Sequence, residues 1–448
     1  MKIRNFILIV FIMGFLSGCQ SKDVKLSFRI ADNTGDKLTV VLGKESNEVV
    51  IDSAGTGVVE FKDVEPQYVL LKYGRSTRPL FIEPAKDLTI SFNGKEMWKE
   101  IGFEGKNADK NQYLNDRKLK TPSFNDTEKA EADFISFADS LYAANIGVLE
   151  SGQFGEPFTG MERIRLKYYT YANFPMYPLY HPYMVKLDSF VPGRAFYEKL
   201  KSLTDLDSRY LNMEEYAAYI PSAVTTLGME DGITKDYKEI VGKQLGYIKA
   251  NVQDMALAEY LVNKAVYGYV ESAGLEGTDD FIGIFEEYVK TPESVQKFNE
   301  LRERWAKIAT GSPSPSFRYQ DINGKEVSLD DLKGKLVYID VWATWCGPCR
   351  GEIPFLQKLE HAYVGKDIHF VSISCDQDKK AWEDMVKKEN LGGIQLHNGG
   401  DKGFMEAYLI RGIPRFLLLD REGKIVSADM TRPSDPATAN KLDELLSK

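Results

Sequence analysis

Leu336-Val-Tyr-Ile-Asp-Val-Trp342-Ala-Thr-Trp345-Cys346-Gly-Pro-Cys349 is the stretch that decides the carboxy-terminal third of this chain. Leu336 to Ala343 is apolar at alternate and intervening positions alike, as expected of a central strand in a sheet covered on both faces. The strand runs directly into Cys346-Gly-Pro-Cys349, which opens a helix with Ile353, Leu356 and Leu359 on one side. Two thiols separated by two residues at a helix start can exchange with a disulfide: one attacks as thiolate and the other reaches back to release it. Unpaired backbone N–H groups and the helix dipole favour the thiolate at Cys346. Cys349, one turn inside, suits the resolving role.

Working outward, Asp321-Ile-Asn-Gly324 predicts a hairpin turn before this strand. Ile368 to Ser374 predicts the next strand, Asp378 to Glu389 a helix and Phe404 to Leu409 a shorter one. Phe416 to Leu419 and Lys424 to Ser427 form a hairpin around Arg421-Glu-Gly423. A last helix starts at Asp435-Pro436 and buries Leu442, Leu445 and Leu446. The pattern is a mixed sheet flanked by helices.

These residues carry a resemblance. Trp342-Ala-Thr-Trp345-Cys-Gly-Pro-Cys349, with Gly412-Ile-Pro414 further on, is similar to the thioredoxin superfamily, and Ser316 to Pro354 most resembles its TlpA/ResA-type membrane-tethered members. The resemblance covers about residues 313–448. It implies a thioredoxin-like α/β fold and an enzyme of thiol–disulfide exchange, most simply a reductase of protein disulfides, with a disulfide oxidant or isomerase as the alternative. Gly347 and Pro348 match the pair that accompanies a reducing bias. Asp340 matches the buried acid that helps deprotonate the resolving thiol, and burial of a carboxyl on an apolar strand raises its pKa. Glu352, three residues after Cys349 and so on the same helical face, matches a glutamate that many TlpA/ResA-type proteins carry beside the CxxC pair. Pro414 matches the cis-proline that faces the disulfide, and Arg415 departs from the Thr usual in thioredoxin itself. The implied partners are disulfide-containing client proteins and a membrane thiol-electron donor.

The rest of the chain is of different character. Residues 24 to about 104 alternate short strand-like runs with turns: Leu26 to Ile30, Leu38 to Leu42, Val49 to Ile51, Val58 to Phe61, Tyr68 to Lys72, Leu80 to Ile82 and Leu88 to Phe92. This spacing predicts an all-β, sandwich-like domain. From 105 to 309 the apolar spacing becomes helical, over Thr127 to Glu150, Met255 to Val270 and Phe281 to Val289. A final helix has Thr291 as N-cap and Phe298, Leu301, Trp305 and Ile308 as its stripe. The cluster Tyr168, Tyr169, Tyr171, Phe174, Tyr177, Tyr180 and Tyr183 is expected to be packing, with the hydroxyls satisfied. The expected division is a leader at 1–18, the β domain at 19–104, a helical domain at 105–309, a proline-stiffened linker at 310–316 and the α/β domain at 317–448.

The first residues describe a destination. Lys2 and Arg4 precede an apolar run, Phe6 to Leu16, that is too short to span a bilayer, and Leu16-Ser-Gly-Cys19 resembles the bacterial lipobox. Acylation of Cys19 would anchor the protein to membrane lipid on the periplasmic side of a bacterial envelope. With 57 basic against 66 acidic side chains, no nucleic-acid-binding face is expected. A single CxxC pair and four scattered histidines point to no metal site, and no cofactor is expected. Cys375 reads as a packed thiol. Because residues 24–309 could bind a ligand or partner, a binding lipoprotein with an ancillary redox domain is the further alternative.

Overall fold

The computed structural model describes residues 22–447 except 44, 98, 117 and 118, so Cys19 and the leader lie outside the described residues. It falls into two compact units, Met1–Thr226 and Leu227–Lys448. A β-sandwich, a helical region and a carboxy-terminal α/β domain follow one another along the chain, so the fold class is the multidomain one expected.

The first unit begins with β1 (Val24–Ala31), β2 (Leu38–Leu42), β3 (Glu45–Val49), β4 (Thr56–Phe61), β5 (Gln67–Tyr73), β6 (Ser76–Ile82), β7 (Leu88–Asn93) and β8 (Ile101–Gly105). They form two four-stranded sheets, β4-β1-β7-β8 and β3-β2-β5-β6. Val24, Leu26, Phe28 and Ile30 alternate onto one face of β1, and they meet Val40, Leu71 and Leu80 from the other sheet in one core. Side chains from facing sheets fill the space between them, which makes this a sandwich.

Two strands differ from expectation. The third was expected at Val49–Ile51, but the strand is Glu45–Val49 and Val50 is 84% exposed. Its register is set by hairpin pairing, Leu38 against Val49 and Leu42 against Glu45. As the end strand of its sheet it carries polar Glu-Ser-Asn-Glu, which an apolar-run criterion misses. The unanticipated β8 pairs antiparallel with β7.

The helices of this unit are α1 (Ala108–Asn115), α2 (Glu131–Ser151), α3 (Phe158–Thr170), α4 (Tyr177–Val185), α5 (Arg194–Leu203) and α6 (Glu214–Gly228), the last crossing the unit boundary. The helix expected from Thr127 starts at Glu131, because Phe124–Glu128 closes into a separate 3₁₀ turn held by a Ser123–Asp126 capping box. Tyr168, Tyr171, Phe174 and Tyr177 are fully buried. Tyr168 Oη donates to Asp205 at 2.6 Å, Tyr171 to Asp139, and Tyr177 to the Lys129 carbonyl at 2.9 Å, so the cluster packs with its polar ends satisfied. Tyr183 is exposed.

The second unit opens with α7 (Tyr237–Asn251), α8 (Met255–Ala273), α9 (Asp279–Tyr288) and α10 (Pro292–Ala306). Asp254 caps α8 by accepting from the Ala256 and Leu257 amides at 3.0 and 3.1 Å. Phe298, Leu301, Trp305 and Ile308 are buried as one stripe. The Gly311–Ser316 stretch runs along a strand edge: the Gly311 amide donates to the Ile425 carbonyl at 2.7 Å and the Ile425 amide to Ser312 at 2.9 Å.

The α/β domain contains β9 (Arg318–Asp321), β10 (Glu326–Ser328), β11 (Leu336–Trp342), α11 (Gly347–Ala362), β12 (Ile368–Ser374), α12 (Lys379–Lys388), β13 (Ile394–His397), α13 (Lys402–Ala407), β14 (Arg415–Leu419), β15 (Ile425–Ser427) and α14 (Pro436–Leu446). Its sheet order is β10-β9-β13-β12-β11-β14-β15, with β11, β12 and β13 parallel and the remaining pairs antiparallel. All seven residues of β11 are buried, as a strand apolar on both faces apart from Asp340 requires. β13 was not anticipated, because four residues with two apolar side chains are too short to give a periodic signal.

A core truncation tests the sandwich. Phe28→Ala should cost about 3–5 kcal/mol because Phe28 is 1% exposed. Lost hydrogen-exchange protection in the β1 and β7 amides is the measurement.

Candidate functional site

The site grows from the carboxy end of β11. Side chains alternate along a strand, so Leu336, Tyr338, Asp340 and Trp342 share a face. Leu336 and Tyr338 join the core formed with Leu356 and Leu359 of α11 and Leu442 of α14. Trp342 joins a second cluster with Trp382, Val386, Cys346 and Cys349. Asp340 therefore sits in a row of large apolar residues between the two.

Cys346 is the N-cap of α11, and Pro348 lies in the first turn, where a missing N–H costs nothing. Cys346 and Cys349 are joined as a disulfide, and both residues are buried, at 5% and 3% exposure. The Cys349 amide donates to Cys346 Sγ at 3.2 Å. One orphan donor of the helix start thus points at the sulfur that must carry negative charge once the bond opens. Ile413–Pro414 is a cis peptide, and the Ile413 carbonyl oxygen lies 3.7 Å from Cys346 Sγ. Trp345 stands beside the pair with 70% exposure.

Asp340 is 8% exposed and interacts with Ser372 of the adjoining strand. Burial, reinforced by the nearby Glu360 and Glu352 charges, pushes its pKa up to about 8. Glu352 is held differently. Its carboxylate accepts from the Ser434 amide at 3.0 Å and the Ser434 hydroxyl at 2.9 Å, with Arg432 at 3.9 Å. These contacts tie α11 to the loop before α14.

Three further residues support the site and were not singled out as such from sequence. Asp376, 2% exposed, accepts from the Thr344 amide at 2.9 Å, from Thr344 Oγ1 at 2.7 Å and from Ser374 Oγ at 2.7 Å. It pins the turn between β11 and the first cysteine. The loop carrying Pro414 is pinned by arginines: Arg411 lies 3.2 Å from Glu271, and Arg415 donates to the Ser272 carbonyl at 2.6 Å while pairing with Asp429 at 2.6 Å. Both Glu271 and Ser272 belong to α8, and such partners across 140 residues of sequence leave no local signal. Cys375 donates to the Trp342 carbonyl at 3.3 Å, and burial pushes its thiol up, so it belongs to the packing around the pair. Among the described residues no group of three or more His, Cys, Asp or Glu side chains could hold a metal ion.

Asp340 makes stability depend on pH. The folded protein keeps this proton up to about pH 8, whereas an unfolded aspartate loses it near its ordinary 3.8. Over that interval the native state binds more protons, so its stability falls as pH rises. Asp340→Asn removes the dependence and should gain on the parent by up to about 1.4 kcal/mol per pH unit between pH 5 and 8. Urea midpoints of the two proteins across that range check it.

Known proteins resemble this region. A family model described as Redoxin matches residues 309–446. The thiol-disulfide oxidoreductase ResA of Bacillus cereus is 32% identical over 120 residues, covering 27% of this chain and 69% of that protein. ResA of Bacillus subtilis is 31% identical over 119 residues, covering 27% and 66%. A solution structure described as that of a thiol-disulfide oxidoreductase from Bacteroides vulgatus is 70% identical, covers 31% of this chain and 93% of that one, and has a TM-score of 0.29. Through this carboxy-terminal region the chain belongs to the thioredoxin superfamily, as a thiol–disulfide oxidoreductase of the TlpA/ResA type.

Proposed function

We propose that this protein is a lipid-anchored, extracytoplasmic reductase of protein disulfides. The observation that supports it most is the cysteine pair capping α11, with Cys346 Sγ facing the Ile413 carbonyl across 3.7 Å. An extended substrate segment laid along this loop would bring its disulfide to Cys346 in line for exchange.

In the reducing direction the Cys346 thiolate attacks a substrate sulfur, forms a mixed disulfide and expels one substrate thiolate. Cys349 gives its proton to Asp340 in its carboxylate form, the minor form below about pH 8, and attacks Cys346, closing the internal disulfide and expelling the second thiolate. Two electrons pass to the substrate. Asp340 is favoured over Glu352 as proton acceptor because both Glu352 oxygens already accept from Ser434, while Asp340 is buried with a pKa of about 8, suited to exchange near neutral pH. Glu352 positions the helix. A membrane thiol-electron donor would re-reduce the pair. Anchoring through acylated Cys19 rests on the lipobox-like Leu16-Ser-Gly-Cys19, and no helix among the described residues is long and apolar enough to cross a membrane.

A second reading gives the first unit a binding role. A cleft of about 800 Å³ lies between its second sheet and helices, lined by Tyr68, Arg78, Leu114, Arg165, Tyr169 and Met213. A mainly apolar recess with a few charged groups is the usual form of a ligand site.

Cys349→Ser should accumulate mixed disulfides with client proteins that a reductant dissolves, whereas Cys346→Ser should capture none; non-reducing gels with mass spectrometry read the outcome. A reduction potential near about −270 mV supports a reductase, and one near about −120 mV reverses the direction. Cys19→Ala should move the protein from the membrane pellet to the supernatant and abolish labelling by radioactive palmitate. An unchanged pellet fraction overturns the anchor.

A further inference from the structure

Each turnover must move a proton between a resolving thiol that is 3% exposed and bulk water. Asp340 can take it but is itself enclosed, so the proton needs a way out. Beside Asp340 lies a small pocket of about 10 Å³, lined also by Trp342, Ser372, Glu360, Gly392 and Gln395. That volume holds one water, provided polar partners are present. Two of the lining residues carry buried polar atoms without a hydrogen-bond partner among the described residues, the donor Trp342 Nε1 and the acceptor Gln395 Oε1. Ser372 and the Asp340 carboxyl complete a polar lining.

Glu360 lines this cavity and also an open surface groove of about 560 Å³ formed with Lys335, His361, Lys366, His369 and Asn390. It lies three turns into α11, partly exposed, with its carboxyl against the loop before β13. A Cβ at Gly392 or Gly393 would collide with that carboxyl, so the two glycines make the room it occupies. Burial pushes its pKa up to about 7, near the working pH of a proton carrier.

We propose that Glu360 is the outlet through which the proton taken up by Asp340 reaches solvent, relayed across the cavity by a single water. This rests on Asp340 being the proton acceptor for Cys349. The transfer balances: the Cys349 proton goes to Asp340, from Asp340 through the water to Glu360, and from Glu360 to the groove, while the electron pair stays on the Cys349 sulfur. The other charged groups around this path are Glu352 and His361 on α11, Lys335 before β11, Lys366 after α11 and His369 on β12. The loop Asn390–Gly393 and Gln395 bring none. Glu360 touches neither sulfur nor substrate, so its role is to position and pass the proton.

The test uses the full chain, reduced and mixed with 5,5′-dithiobis(2-nitrobenzoate) in a stopped-flow instrument between pH 6 and 9. The first thionitrobenzoate released reports attack by Cys346 and the second reports resolution by Cys349. Glu360→Gln should leave the first release unchanged and slow the second about tenfold near pH 7, with its pH profile displaced. In Glu360→Ala, raising the concentration of imidazole buffer should restore the second release, which a merely structural defect would not allow. Slowing by Asp340→Asn with an unaltered second release in Glu360→Gln overturns the outlet and leaves the Asp340 assignment standing. If neither variant slows the second release, the Asp340 assignment falls and the outlet with it. Equal slowing of both releases in Glu360→Gln, or no rescue by imidazole, also overturns the proposal.

Discussion

The hydrogen bond from the Cys349 amide to Cys346 Sγ is the contact on which the chemistry of this protein depends. It exists because the first cysteine occupies the N-cap of α11, where the helix has amide donors without carbonyl partners. A thiolate placed there accepts what the helix cannot satisfy internally, and the same geometry sets the second sulfur one turn deeper. The rest of the domain holds this helix end still. Asp376 ties down the approach from β11, and Ser434 ties Glu352 on the far side of the first turn.

Enclosure has an electrostatic consequence. Shielding the resolving sulfur from water prevents stray exchange but also separates its proton from solvent. A carboxyl buried on an apolar strand is costly when charged and therefore holds its own proton to higher pH, as Asp340 does. Its cost to the fold at neutral pH accompanies the role proposed for it as a base, a trade common at active sites. Glu360 extends the same logic outward, since a half-buried acid lining both the small pocket at Asp340 and an open groove belongs to both environments.

Much of the carboxy-terminal domain was legible in the sequence. The strand at Leu336, the helix opened by Cys346, the strand at Ile368 and the last helix from Asp435 lie where their patterns put them, because long periodic segments bury one face against a neighbour. Two strands misplaced or missed are short or polar: β3 reads Glu-Ser-Asn-Glu-Val and β13 Ile-Gln-Leu-His. β3 is held by a tight hairpin with β2, and β13 by pairing with β12 and with β9 about 75 residues earlier, neither of which an apolar pattern encodes.

By itself the sequence determined what depends on spacing and composition: a dithiol at a helix start, an acid on a buried strand, an apolar run from Phe6 to Leu16 shortly before Cys19, and the order of β, helical and α/β regions. Neighbours 20 to 143 residues apart were settled only by the tertiary structure. Arg415 meeting Ser272, Glu352 meeting Ser434, and Asp340 and Glu360 sharing one cavity are all products of chain folding. The physical reason is range. Periodicity and capping act over one or two turns of backbone, whereas desolvation and hydrogen bonding depend on whatever the folded chain brings within a few ångströms.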